Sequence, residues 1–177
     1  MTMRPSLRKF ALTVHLTSSV GWIGAVITYL TLGVAAVTTR DPLTVRAAWS
    51  AMELIGWNAI VPLALGSLLT GLIMALGTQW GLFRHYWVVF SLVLTVVATA
   101  ILLEHMPSVS STAAMVRAAD ATQLARGLGG DLLHPAAGLL VLLVIQVLNM
   151  YKPQGLTPYG WRKQQEHRSI KAPATTR

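Results

Sequence analysis

Polar residues are distributed along this chain so as to leave four long gaps. Apolar residues run almost without interruption from Phe10 to about Val37, from Leu54 to about Leu76, from Tyr86 to Leu103 and from Leu132 to about Tyr151. A helix needs about 20 apolar residues to cross the hydrocarbon of a bilayer, and none of the four runs has an ionisable residue near its middle. The runs do not alternate in polarity, and only helices or closed barrels satisfy their own backbone inside a membrane, so the pattern predicts helices rather than strands. The expected fold is an all-α, integral membrane four-helix bundle over residues 1–152, with a basic tail over 153–177. The first run follows a basic stretch as a signal peptide would, but it far exceeds the ~7–15 apolar residues of such a leader. The pattern predicts an uncleaved span.

The connections differ in kind. Thr78–Phe83 predicts a tight turn, and Thr38–Met52 a medium loop opened by Asp41-Pro42. Between Met106 and Gly130 the chain is Ala-rich, with Val109, Ala113, Val116 and Ala119 at helical spacing opposite Arg117 and Asp120. That predicts a weakly amphipathic helix, between helices 3 and 4 along the chain, lying at the outer membrane interface. The tail, with Pro153, Gly155, Pro158 and Pro173, is expected to be extended and partly disordered. Within the spans, Ser67, Gly71 and Ala75 form a ladder of small residues that permits close helix contact, as do Gly21 and Gly24. Pro62 predicts a kink in helix 2, with Asn58 one turn earlier bonding the freed carbonyl.

Composition and charge sharpen this picture. Of 177 residues 54% are hydrophobic and 11% charged, against about 25% charged in soluble domains. The net charge of +8 is not a nucleic-acid footprint, because the cations flank the spans: Arg4, Arg8 and Lys9 precede the first and six of the fourteen Lys/Arg follow Tyr151. With the N-terminus inside, ten Lys/Arg fall on the cytoplasmic side, while Arg40, Arg46, Arg117 and Arg126 fall outside. The positive-inside rule then predicts that both termini are cytoplasmic. The chain has no cysteine, so no disulfide, thiolate site or iron–sulfur cluster is available.

Candidate chemistry lies in the depth of the polar residues, since ionisable groups in or at the ends of spans mark functional sites by default. At the outer helix ends, Glu53, Glu104, His105, Asp131 and His134 would converge if helices 2, 3 and 4 are neighbours. Imidazole with carboxylate suits a divalent transition metal, and Asp131 and His134, three residues apart, share a helix face. The plainer alternative makes Asp131 an N-cap and Glu104 and His105 a helix end in the headgroup zone. On the inner side stand His15 and His85. Helical periodicity places His15, Ser19, Trp22, Val26, Tyr29 and Gly33 on one stripe, a surface that could border a flat macrocycle. Haem iron accepts axial imidazoles from facing helices, and histidines at both membrane edges, His15 and His85 inside and His105 and His134 outside, would permit two haem b groups. The plainer alternative is a histidine bonded to a serine or a carbonyl of a neighbouring helix, with Trp22 as packing. No nucleophile with its base, phosphate loop or nucleotide fingerprint is present.

His15 with Trp22-Ile23-Gly24-Ala25 resembles the first helix of several bacterial membrane families: CopD-like copper-resistance proteins, HemJ-type membrane protoporphyrinogen oxidases and small polytopic proteins of uncharacterised role. The similarity covers about 25 residues. It implies a ligand role for His15, a packing role for Trp22 and Gly24, and a place in a bacterial cytoplasmic membrane. The expected function is haem b binding for electron transfer, haem handling or redox sensing. The alternatives are transport or assembly of a transition metal through the outer cluster, and a structural subunit of a membrane complex. The expected partners are the lipid bilayer, a membrane redox protein or a second copy, and no nucleic acid.

Overall fold

The computed structural model describes residues 3–78, 80–121, 124 and 132–171, with backbone alone for the last five of these. Its helices are longer than the apolar runs. α1 spans Pro5–Thr38 and α2 spans Pro42–Ile55. One wide π turn, Gly56–Ile60, joins α2 to α3 (Val61–Gly77), so Pro42–Gly77 is a single rod. α4 spans Tyr86–Ala118, α5 spans Leu133–Tyr151 and α6 spans Pro158–Lys171. No strand forms among the described residues. α1, the α2–α3 rod, α4 and α5 are each long and apolar enough to span a bilayer. Around the bundle, α1 packs on the rod and on α5, and α4 packs on the rod and on α5, so sequential helices are antiparallel neighbours and α1 lies diagonally across from α4.

Both ends of the described chain lie at one end of the bundle, which we call the base; the opposite end is the crown. At ~1.5 Å per residue the three long rods measure about 50 Å and α5 about 28 Å, against roughly 30 Å of hydrocarbon. The rods overrun α5 unevenly at the crown. α5 starts level with Gly33 of α1, whose missing Cβ would meet the Leu132 side chain at 2.9 Å, and its His134 stacks on His105 of α4. About 8 Å of α1 and about 20 Å of α4 therefore stand above it. The crown half has a core like that of a soluble protein. Val45, Ala48, Trp49 and Met52 of α2 meet Val109, Ala113 and Val116 of α4 and Tyr29 and Ala36 of α1, with Met52 and Met106 each 1% exposed.

Three connections therefore differ from expectation. The loop expected over Thr38–Met52 is mostly α2, opened by Asp41 as an N-cap that accepts from the amides of Leu43 (3.3 Å) and Thr44 (3.0 Å). The interfacial helix expected after Met106 is instead the upper third of α4, which passes Pro107 unbroken. Proline removes one N–H from the ladder, and packing of Val109, Ala113 and Val116 against the rod offsets that loss. The face formed by Val109, Ala113 and Val116 is buried against α2. The tail expected to be extended forms α6 from Pro158. At Pro62 the strain is absorbed by the π turn just before it, and the Asn58 amide donates to the Leu54 carbonyl at 2.9 Å.

Two outcomes follow. Met52→Ala should cost about 2–5 kcal/mol in detergent unfolding, far more than truncation of exposed Leu43. The Asp41 carboxyl is held below its ordinary value by the hydroxyl and then the amide of Thr44. Its cap is thus fully present above about pH 4 and lost as pH falls through the lowered value. Exchange of the Leu43 and Thr44 amides should speed up in Asp41→Ala at neutral pH and match the parent in strong acid.

Candidate functional site

The base half of the bundle carries hydroxyls and one imidazole on its inner surface. α1 and α3 come close there because small residues face each other: a Cβ on Gly66 would lie 3.1 Å from Ser18 Oγ, and one on Gly71 would lie 3.2 Å from His15 Cε1. Into this seam His15 points its Nδ1, 3.2 Å from the Ser67 carbonyl oxygen and 3.0 Å from Thr70 Oγ1. A carbonyl only accepts, so Nδ1 carries the proton and donates. Thr70 is turned to receive it, since its own hydroxyl donates to the Gly66 carbonyl at 2.6 Å. Ser19 completes the cluster, donating to the His15 carbonyl at 2.8 Å and meeting Ser67 Oγ at 2.9 Å. The tautomer so fixed leaves the lone pair on Nε2, which bonds no described residue. Trp22, one helical turn above Ser19, is buried at 4% exposure in the apolar core.

Across the bundle on α4, Ser91 is buried with a hydroxyl that has no hydrogen-bond partner among the described residues. Such a group is costly away from water.

His85 stands lower. It caps α4 at the base, and its Nδ1 lies 2.9 Å from the Trp80 carbonyl, again fixing the proton on Nδ1. Trp80 meets the ring edge-on with centroids 5.3 Å apart, and Lys152 lies 5.3 Å over the Trp80 ring. His15 is level with Ser67–Gly71 of α3, six residues or more above Gly77, which at 1.5 Å each is roughly 10 Å. His85 belongs to the connection below that end. The two share no partner among the described residues and stand at different heights.

At the crown the expected cluster separates. Glu53 forms an ion pair with Arg117 at 2.6 Å, tying α2 to α4 beside the Trp57–Ser110 hydrogen bond of 3.0 Å. Glu104 is exposed, and Asp131 lies outside the described residues. His105 and His134 come together, ring on ring across α4 and α5, with centroids 4.3 Å apart and planes 16° from parallel. Imidazole lone pairs lie in the ring plane, so parallel stacked rings send them side by side rather than toward one ion about 2 Å from each nitrogen. Among the described residues no group of three His, Asp or Glu side chains could hold a metal.

Sequence reasoning found His15 and Ser19 but read Ser67 as mere packing and passed over Thr70. Their spacing of three, at the depth of His15 on an antiparallel neighbour, is the signal that would have found both. Fold and site together define a polytopic integral membrane helical bundle with a histidine held by hydrogen bonds between α1 and α3. Comparison with known protein families, curated proteins and solved structures finds no match for this chain.

Interhelical hydrogen bonds in membranes are worth about 0.6 kcal/mol and at most ~1.7. A double-mutant cycle of His15→Ala and Thr70→Val should therefore show a coupling of that size in detergent unfolding. Strict additivity would mean that the two side chains do not interact.

Proposed function

We propose that the protein binds haem b in the base half of the membrane bundle, with His15 as axial ligand, and serves electron transfer or haem handling. The observation that carries this reading is the state of the imidazole. Histidines that ligate metals nearly always donate their other ring N–H to a carbonyl or carboxylate, which fixes the tautomer and raises ligand basicity. His15 has that arrangement, with Nδ1–H on the Ser67 carbonyl and Nε2 left with its lone pair. The unpartnered Ser91 hydroxyl supports a polar group from a ligand inside the bundle. His85 has the same arrangement through Trp80. Its lower position favours its being a separate ligand rather than the opposite axial partner of His15 on one iron. Bound haem would supply one-electron chemistry at a potential set by the imidazole and the polarity around it, while the chain's own residues orient the ligand and keep water out. Transition-metal transport through the crown has weaker support, since Glu53 is engaged by Arg117 and Glu104 is exposed.

An absorption spectrum of the haem-supplemented protein in detergent tests the proposal. His15→Asn is the informative variant, because the Asn amide can replace the Nδ1–H donor to Ser67 but offers iron no imidazole. We expect a Soret band in the parent, its loss in His15→Asn with stability kept, and its retention in His85→Asn. A colourless parent sinks the haem reading. Stability kept in His15→Asn but lost in His15→Ala would then leave His15 as interhelical glue.

A further inference from the structure

We infer that α6 is an interfacial arm that lies on acidic phospholipid headgroups around the base. This inference is independent of haem binding and rests on where α6 starts, what it exposes and how charge is divided between the two ends of the chain.

The start of α6 is fixed at the membrane edge. The Thr157 amide donates to the Arg84 carbonyl at 3.0 Å, and its hydroxyl donates to the Phe83 carbonyl. The Tyr86 amide, the first of α4, donates to the Gly155 carbonyl at 3.3 Å. Thr157 then caps α6, accepting from the Gly160 amide at 3.1 Å. Gly160 is seated so closely that a Cβ there would run into the Arg84 carbonyl oxygen. The first turn of α6 is therefore held level with the end of a spanning helix, at headgroup depth. At that level Tyr159 and Trp161 are 46% and 54% exposed, and tyrosine and tryptophan favour the membrane–water interface.

Charge complements this placement. Ten of the fourteen Lys/Arg belong to the base segments and the tail, with only one acidic residue, Glu166. That one is engaged by Lys163 at 2.9 Å. The crown segments hold the other five acids and four arginines. The base thus has a net excess of cations and the crown is close to neutral. Polybasic segments beside a span are attracted to anionic leaflets, and the attraction fades within a Debye length. An acidic lipid surface is the partner that matches both the aromatic pair and the excess of cations.

The chain has no cysteine, so a single label is clean. The full-length Gln165→Cys variant with an environment-sensitive fluorophore would be placed in nanodiscs of phosphatidylcholine alone or with phosphatidylglycerol, each with quencher-bearing lipids. We expect severalfold stronger quenching in the acidic discs. It should be lost as salt rises from about 0.1 to 1 M, where the Debye length shrinks from ~10 to ~3 Å. It should also be lost in Arg162→Gln/Arg168→Gln/Lys171→Gln. Equal quenching in both lipids, or none in either, would overturn the inference, the latter leaving α6 pointing into solvent.

Discussion

Hydrocarbon offers nothing to bond with, so a polar ring placed there must find its partners on a neighbouring helix. In this protein that requirement falls on His15, and α1 and α3 are arranged to meet it. Glycines at 66 and 71 bring α3 close, Ser67 supplies a carbonyl and a hydroxyl, and Thr70 turns its own proton away so as to accept. The same contacts fix the register of the two helices, since Ser18 lies against Gly66 and Gly21 against Leu63. A slip of one residue would strand the imidazole.

The two ends of the bundle obey different physics. In the base half the inner surface is partly polar (His15, Ser18, Ser19, Ser67, Ser91) and the outer surface is apolar, with Leu16, Leu69 and Phe90 exposed. In the crown half the order reverses. Met52, Ala113 and Val116 are sealed inside while Thr44, Ser108 and Arg117 face outward. One continuous rod, Pro42–Gly77, passes through both regimes, and its π turn stands near the crossing, where Gly56 receives the Met106 side chain 2.5 Å from its missing Cβ.

The span count and the helical class were legible because hydrophobic runs of bilayer length have few other uses. What escaped was everything decided by packing outside the hydrocarbon. A run search ends at Leu103, yet α4 continues to Ala118 because Val109, Ala113 and Val116 find a partner in α2. Asp41-Pro42 was legible as a chain reversal, but its second role as a helix cap depends on Thr44 following it. His15 stood out by depth alone. Its partners did not, since serine and threonine are common in spans and only the pairing of α1 with α3 distinguishes Ser67 and Thr70. Nearness in depth says nothing of azimuth, and of the outer residues Glu53 turns to Arg117.

α5 is the least enclosed of the spans, with Leu142 its one fully buried side chain among the described residues. The three long rods need little from it to form their own core. The earlier helices thus have among themselves the contacts they need to associate before the last one is made. The seam between that helix and its neighbours is also where the bundle would part sideways with least loss of contact.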